Sequence, residues 1–296
     1  MIDRRYAAFM FEWNRVCGAR AAVMGVVNVT PDSFSDGGRF FEHDAAVAHG
    51  IELASAGADV LDVGGESTRP GAAPVPADEE LFRVVPVVER LAAATDVPIS
   101  IDTTKAAVAG AALAAGASIV NDVSAGQLDP EILCVTADAG AGYVAMHMQG
   151  EPRTMQADPR YDDVVGEVGD FLAERLDVAR AAGIAPGALL VDPGIGFGKT
   201  VDHNLRLLAA LPRLVERVQV PVMVGTSRKT FIGKVLARAG GGPEPLPVDQ
   251  RDEGTLATVV WAVERGASVV RVHDVEPAVH AVRLLHALHA ADAGAA

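Results

Sequence analysis

Short runs of β-branched and apolar residues alternate along the chain with longer segments rich in alanine and leucine. The short runs are strand candidates, at residues 23–27, 60–63, 98–101, 118–121, 142–146, 189–191, 221–224 and 268–272. Helix candidates separate or follow them, at residues 44–56, 78–94, 105–115, 164–182, 254–265 and 276–291. Alternation of this kind predicts repeated βα units and a parallel sheet. Eight such units predict an α/β fold, a single (β/α)8 TIM barrel.

Residues 1–20 precede the first predicted strand and lie outside the eight units. We expect them to form a short N-terminal extension, as an extra strand or as a plug on the barrel floor, and residues 21–296 to form the barrel. Trp13 and Trp261 lie away from the polar motifs, so core packing is the expectation for both.

Composition narrows the class of protein. A chain of 296 residues with 50% hydrophobic residues can bury a large core, and one domain is sufficient. The formal net charge of -14 argues against nucleic acid as the main partner. Charged residues interrupt the first 20 positions, and no apolar run is long enough to cross a bilayer. We therefore expect a soluble cytoplasmic protein that does not bind membranes.

Polar residues stand at the end of each apolar strand. In order they are Asn28, Asp62, Asp102, Asn121 with Asp122, His147, Asp192, the triplet 227–229, and Arg271 with His273. A single one of them could be a helix cap or half of an ion pair. A set in register predicts one site at the mouth of the barrel. Amides and carboxylates there would match a planar heterocycle that carries ring N–H and amino groups.

Two local alternatives concern the glycines after the sixth strand. Gly198, Lys199 and Thr200 imitate the end of a phosphate-binding P-loop, but Pro193 stands where that motif needs glycine. A dinucleotide loop is also a poor match, because the glycine cluster does not follow the first strand. A lone histidine in an apolar strand, His147, is more typical of a hydrogen-bonded structural residue than of a ligand.

Seven motifs together resemble the dihydropteroate synthase family. They are NVTPDSFSDGG (28–38), DVGGESTRPGA (62–72), SIDT (100–103), NDVS (121–124), DPGIGFGK (192–199), GTSRK (225–229) and RVHD (271–274). The resemblance extends from about residue 23 through nearly the whole chain. It implies a transferase that joins 6-hydroxymethyl-7,8-dihydropterin diphosphate to 4-aminobenzoate, with Mg²⁺ as cofactor, and that releases diphosphate and 7,8-dihydropteroate.

The resemblance also implies roles for individual residues. Asp192 would accept two hydrogen bonds from the pterin, and Asn121 and Asp102 would contact the remaining ring nitrogens. Lys229 would lie at the carbonyl side of the ring, and Arg271 would stack over it while facing the diphosphate. The full expected pterin and diphosphate set is Asp62, Thr68, Asp102, Asn121, Met146, Asp192, Gly225, Lys229, Arg271 and His273, of which Asp102, Lys229, Arg271 and His273 are the expected catalytic residues.

The second substrate and the metal are assigned in the same way. The expected aminobenzoate subsite consists of Thr30, Ser67, Arg69, Pro70, Phe197 and Ser227, with Ser227 at a helix start. Asn28 is the expected Mg²⁺ contact. The family resemblance further suggests a homodimer through the helices that follow strands six to eight. Two whole-protein alternatives remain: a methyltransferase that moves a methyl group from methyltetrahydrofolate to a corrinoid, and a catalytically silent pterin-binding paralogue.

Overall fold

The computed structural model describes residues 10–29, 39–67, 72–150 and 154–295 of the chain. Its strands are β1 Ala22–Asn28, β2 Val60–Gly64, β3 Ile99–Asp102, β4 Ile119–Asp122, β5 Gly142–Met146, β6 Leu189–Asp192, β7 Met223–Val224 and β8 Val269–Val272. Each predicted strand is present, with ends that differ by no more than two residues.

The strands form one parallel sheet in the order β6-β5-β4-β3-β2-β1-β8-β7. A bridge between Val191 of β6 and Val222, next to β7, brings the two ends of the sheet together. The predicted (β/α)8 barrel is therefore confirmed.

The helices are α1 Trp13–Cys17, α2 Arg39–Ser55, α3 Ala77–Ala94, α4 Ala106–Ala114, α5 Glu131–Asp138, α6 Val164–Ala181, α7 Val201–Ala209, α8 Leu211–Val218, α9 Thr230–Ala239, α10 Asp252–Glu264 and α11 Val275–Ala295. The predicted start of the first barrel helix at residue 44 is wrong, because α2 already begins at Arg39. Asp44 lies inside α2, and its carboxylate accepts a hydrogen bond from Arg90 of α3 at 2.7 Å. No described helix is long and apolar enough to cross a membrane.

Alternate strand residues face the inside of the barrel. The inner apolar layer contains Met24, Val60, Ile119, Val144, Leu190, Met223 and Val269, while the residues beside them pack with the helices. Because successive strand side chains point to opposite faces, the residue two positions further along each strand also points inward. Those next residues include Asp62, Asn121, Met146, Asp192 and Arg271. The inward-facing side chains thus change from an apolar layer to a polar site within two residues along the strands.

Trp13 of α1 lies against this inner layer. Its side chain is 0% exposed, and its indole N–H donates to the carbonyl oxygen of Ala188 at 3.0 Å. Phe11 packs edge-on against the Trp13 ring and donates its backbone N–H to Gly140. We propose that residues 10–20 act as the floor of the barrel. Trp261, in contrast, is 43% exposed on α10, so the expectation of core packing was wrong for it.

Replacing Trp13 with Phe is expected to lower the free energy of unfolding by about 1–3 kcal/mol, through the lost volume and an unpaired carbonyl at Ala188. Trp261→Phe is a matched control, because the Trp261 indole also donates to a carbonyl oxygen, that of Leu208, at 3.0 Å. The measurement is chemical denaturation of both variants. Equal losses in the two would argue against a structural role for the N-terminal segment.

Candidate active site

A cavity opens at the carboxyl ends of the strands. Its lining consists of Val26, Asp102, Asn121, Val123, Met146, Asp192, Phe197, Met223, Gly225, Ser227, Lys229, Arg271 and His273. Most of the site residues predicted from the sequence are therefore in one place. They converge because the barrel brings the ends of all its parallel strands to the same mouth.

Arg271, on β8, is held between two carboxylates. Its Nε donates to Asp62 Oδ2 at 2.6 Å, and its Nη2 donates to Asp102 Oδ2 at 2.8 Å. Burial alone would lower the pKa of Arg271, but Asp62 and Asp102 outweigh it and raise that pKa above its ordinary value. The guanidinium is therefore permanently charged and its plane is fixed by partners on β2 and β3.

Asp62 is completely buried and does not satisfy all of its lone pairs. Its Oδ2 accepts from Asn121 Nδ2 at 3.1 Å as well as from Arg271. Its Oδ1 makes no hydrogen bond to any residue that the structure describes, and the same holds for the buried hydroxyl of Ser100 on the neighbouring strand. Buried acceptors without donors are costly, so these two atoms mark a strained polar layer directly behind Arg271.

Asp102 titrates unusually close to neutral pH. Burial raises its pKa to about 7, while Arg271 opposes the rise and the carboxylate of Asp62 adds to it. Burial also raises the pKa of Asp192, against the opposing charge of Lys229 and a hydrogen bond from Gly194 N to Asp192 Oδ1 at 2.6 Å. Both carboxylates would gain from a ligand that donates hydrogen bonds to their charged form.

Lys229 stands at the beginning of α9 and reaches across the cavity mouth. Its Nζ donates to the carbonyl oxygen of Ile195 and lies 4.7 Å from the centre of the Phe197 ring. Burial lowers the pKa of Lys229 to about 8, and Asp192 acts in the opposite direction. The amine therefore remains largely charged at pH 7 and lines the same cavity as the carboxylates of Asp102 and Asp192.

Ser227 and His273 form a pair at the rim. The Ser227 hydroxyl oxygen accepts from the backbone N–H of His273 at 3.2 Å and lies 2.9 Å from His273 Nδ1. The predicted position of Ser227 at a helix start is wrong, because α9 begins at Thr230. Arg228 lies between Ser227 and the start of α9, and its backbone is left-handed, with φ 56°. Its side chain is paired with Asp252 at 2.8 Å. This turn moves the helix start past Ser227.

Five of the polar residues at strand ends do not line the cavity, namely Asn28, Asp62, Asp122, His147 and Arg228. Two of them point away from it. Asp122 follows the inward-facing Asn121 and accepts from Ser124, Gly126 and Tyr143, at distances between 2.6 and 2.8 Å. His147 follows the inward-facing Met146, and its Nδ1 lies 2.8 Å from Lys199 Nζ. The alternation of strand side chains explains both placements. These two residues hold loops in place, and the prediction that every polar strand end converges on the mouth was wrong for them.

A buried ion cluster lies beneath the segment after β2. Lys105 Nζ pairs with Glu66 and with the completely buried Glu80, the latter at 2.5 Å. Burial alone would lower the pKa of Lys105, but hydrogen bonds to the two glutamates outweigh it and raise the pKa. Glu66 Oε1 also accepts from the backbone N–H of Val75 at 3.1 Å. The cluster fixes both ends of the segment that contains Ser67.

Some predicted residues lie outside the described ranges: Thr30, Thr68, Arg69 and Pro70. Asn28, the expected metal contact, is the last residue of β1 and pairs with Gly64 of β2. Among the described residues no three His, Cys, Asp or Glu side chains cluster as a metal site. A single carboxamide suits Mg²⁺, which commonly keeps several waters and takes other ligands from substrate oxygens.

The apolar wall of the cavity was not predicted from the sequence. It includes Val26, Val123 and Met223. The signal was present in the strand period. Val26 is two residues before Asn28, Val123 two after Asn121, and Met223 two before Gly225, so each shares a face with a site residue already predicted. Such a wall is suited to an aromatic ring.

Comparison with known proteins gives a consistent result. Residues 24–273 match the model of the family described as pterin binding enzyme. The dihydropteroate synthase of Mycobacterium leprae is 49% identical over 275 residues, which are 92% of this chain and 95% of that one. A structure of Xanthomonas albilineans dihydropteroate synthase with 4-aminobenzoic acid has a TM-score of 0.84 at 51% identity, covering 92% of this chain and 94% of that one. Its complex with 7,8-dihydropteroate has a TM-score of 0.81 at 48% identity, with the same coverage.

Proposed function

This chain belongs to the pterin binding enzyme family, and we infer from its site that it is a transferase that joins 6-hydroxymethyl-7,8-dihydropterin diphosphate to 4-aminobenzoate. The products are 7,8-dihydropteroate and diphosphate. One observation carries the inference: two buried carboxylates, a carboxamide and an apolar wall line one cavity beside two cationic side chains, one of which is paired with a third buried carboxylate, Asp62.

The pterin ring is proposed to bind at the bottom of the cavity. Asp192, Asn121 and Asp102 supply acceptors and an amide for the amino and ring N–H groups. Met146, with the apolar wall, contacts the ring faces, and Lys229 lies on the carbonyl side. Asp62 supports this placement indirectly, because it holds the guanidinium of Arg271, which lines the cavity.

The chemistry proposed for the site is largely electrostatic. The C–O bond at the methylene of the substrate breaks and its electron pair leaves with diphosphate, while the positive charge delocalises into the electron-rich dihydropterin. Asp62, Asp102 and Asp192 carry three potential negative charges against Arg271 and Lys229, so the ring lies in a field that favours a cation. Arg271 and His273, on the rim side, stabilise the departing anion. A side-chain nucleophile is not required.

The amine of 4-aminobenzoate then attacks the methylene carbon and loses a proton, which forms the new C–N bond. We propose that its ring binds against Phe197, which lines the cavity beside Lys229. Ser67 and Ser227 remain proposed members of this subsite, together with Thr30, Arg69 and Pro70. The ion cluster of Glu66, Lys105 and Glu80 would hold Ser67 at the correct end of the loop.

We propose Mg²⁺ as the cofactor, with Asn28 as its contact from the protein. The carboxamide at the end of β1 is a hard oxygen ligand of the type that Mg²⁺ prefers. When bound, the ion would supply charge neutralisation for diphosphate oxygens. The chain provides the remaining positive charge through Arg271 and Lys229.

We propose that the protein is a homodimer in the cytoplasm. Large exposed apolar side chains occur on the helices after β6, β7 and β8, namely Leu205, Leu236, Trp261, Leu284 and Leu288. Contiguous exposed apolar patches mark protein interfaces, and we propose that these side chains contribute to one. A mass close to that of one 30.7 kDa chain at micromolar concentration would contradict the dimer, and recovery in the membrane fraction of cells would contradict the location.

The function is tested by supplying purified protein with dihydropterin diphosphate, with and without 4-aminobenzoate and with and without Mg²⁺. Diphosphate release is measured together with dihydropteroate by mass spectrometry. Product that requires both substrates and the metal supports the transferase. Pterin binding without product would favour a silent paralogue, or a methyltransferase that needs neither a diphosphate nor an aminobenzoate site.

Pterin affinity is expected to fall at acidic pH because of Asp102. Its pKa is about 7 in the free protein, and its ionised form accepts a stronger hydrogen bond from a ring N–H than its protonated form does. Protonation below pH 7 therefore weakens binding, by about 30-fold between pH 8 and pH 5.5 if the complex holds the carboxylate fully ionised. The measurement is calorimetric titration with a pterin analogue that does not itself titrate in this range. Asp102→Asn should bind weakly at both pH values, and a persistent pH dependence in that variant would remove Asp102 as its cause.

A further inference from the structure

The loop after β6 has an unusual set of hydrogen bonds. Five consecutive carbonyl oxygens, those of residues 194–198, each accept one. The donors, in order, are Phe197 N at 3.0 Å, Lys229 Nζ, Gln156 Nε2, Lys199 Nζ at 3.0 Å and the Tyr161 hydroxyl at 3.0 Å. Four of the five donors are side chains of residues outside the loop, so contacts with the rest of the chain determine the shape of the loop.

Lys199 makes the most buried of these contacts. It is 3% exposed, and its Nζ meets three acceptors: Phe197 O at 3.0 Å, His147 Nδ1 at 2.8 Å and His147 O at 3.4 Å. These three partners surround the amine. Burial lowers the pKa of Lys199 well below its ordinary value, and the carboxylate of Asp192 acts in the opposite direction. Burial lowers the pKa of His147 to about 3, and Lys199 adds to the effect, so the imidazole stays neutral and Nδ1 is free to accept.

Phe197 is the side chain that this arrangement positions. Its carbonyl is held by Lys199, the next carbonyl by Tyr161, and the left-handed residues Gly196 and Gly198 lie on either side of it. A side chain at Gly198 would overlap the carbonyl oxygen of Gln149. The backbone around Phe197 is therefore closely packed on one side and hydrogen-bonded on the other, while its ring faces the cavity beside Lys229.

The segment between β5 and α6 supplies the outer contacts. Gln156 binds the carbonyl of Gly196, and the Tyr161 ring packs edge-on against His203, 5.0 Å between ring centres. Gln149 and Arg160 connect the two sides of the segment through hydrogen bonds of 3.0 and 3.3 Å. The sequence alone gave no interpretation of this charged segment, residues 151–162. Its described part contacts the loop that contains Phe197 through hydrogen bonds from Gln156 and Tyr161.

We propose that Lys199 and Tyr161 are positioning residues of the aminobenzoate subsite, which act by holding the two consecutive main-chain carbonyls of Phe197 and Gly198. The proposal rests on the proposed function. In this proposal the buried Lys199 contacts neither substrate but determines how tightly 4-aminobenzoate binds. Of the proposed pterin contacts Asp192 lies on β6, next to this loop, while Asp102, Asn121 and Met146 lie on β3, β4 and β5, so the affinity for the pterin should change much less.

The test is Lys199→Met, which keeps a long unbranched side chain but removes all donors. We expect the KM for 4-aminobenzoate to rise at least tenfold, equivalent to about 1.4 kcal/mol. The KM for dihydropterin diphosphate should change less than threefold. Lys234→Met is the matched control, because Lys234 is exposed on α9 and away from the cavity, and both KM values should stay at their wild-type levels.

Tyr161→Phe is the second variant and removes only one hydroxyl. We expect it to raise the KM for 4-aminobenzoate about threefold without affecting the pterin, and it decides the question if Lys199→Met does not fold. An unchanged aminobenzoate KM in the soluble variants, or an equal rise in both KM values, would overturn the proposal. The wild-type protein in the same assay reports separately on the proposed function, because absence of product there would refute the reaction itself.

Discussion

Arg271→Met is expected to reduce kcat/KM by about 10³-fold, which is the upper range for loss of one preorganised charge in an active site. The guanidinium bridges Asp62 and Asp102 and is the cation nearest to both. Its removal leaves two buried carboxylates close together without a counter-ion, and it also removes positive charge from the side on which diphosphate departs. Arg271→Lys should retain part of the activity, since a point charge cannot bind both carboxylates in one plane.

Arg20→Met provides the control for this prediction. Arg20 also forms a two-bond ion pair with a carboxylate, to Asp59 at 2.8 and 2.9 Å, and its side chain is 23% exposed, as is that of Arg271. It lies at the opposite end of the barrel, before β1. Steady-state kinetics on both variants separate the catalytic from the structural effect of losing such a pair. A similar loss of kcat/KM in the two would refute the assigned role of Arg271.

The strands and their order along the chain were predictable because a buried parallel strand has a simple sequence pattern. The run at residues 142–146 gave β5 without error, and polar residues at strand ends located the mouth. The inward direction of each side chain follows from the same period. Because adjacent strand residues point to opposite faces, Asp122 and His147 must face away from the cavity when Asn121 and Met146 face into it. The sequence pattern alone could therefore have excluded Asp122 and His147 from the cavity.

Long-range contacts account for most of what the sequence did not predict. The buried indole of Trp13 donates to the carbonyl oxygen of Ala188, 175 positions later. The buried carboxylate of Glu80 is paired with Lys105, 25 positions later. The carbonyl contacts of residues 194–198 depend on side chains from residues 156, 161, 199 and 229. Pairings of this kind leave no periodic signal, since each depends on which loops the closed barrel brings together.

Asp192→Ala is expected to abolish measurable pterin binding, at a cost of about 2–4 kcal/mol that corresponds to roughly 30- to 1000-fold in Kd. The carboxylate lies between β5 and β7 at the bottom of the cavity, and burial has already raised its pKa in the free protein. Two N–H groups of a pterin would stabilise the charged form and satisfy both oxygens. Without the carboxylate those donors are buried without partners, which is the larger part of the penalty.

Asp163→Ala is the control that isolates this effect. Asp163 and Asp192 each accept a hydrogen bond from the backbone N–H two residues later, Val165 at 3.2 Å and Gly194 at 2.6 Å, so both variants lose a similar local contact. Asp163 caps α6 and does not line the cavity. Calorimetric titration with a pterin analogue should therefore give wild-type affinity for Asp163→Ala and none for Asp192→Ala. Retained affinity in Asp192→Ala would mean that the ring is recognised elsewhere in the barrel mouth, with Asp62 and Asp102 as the remaining acceptors.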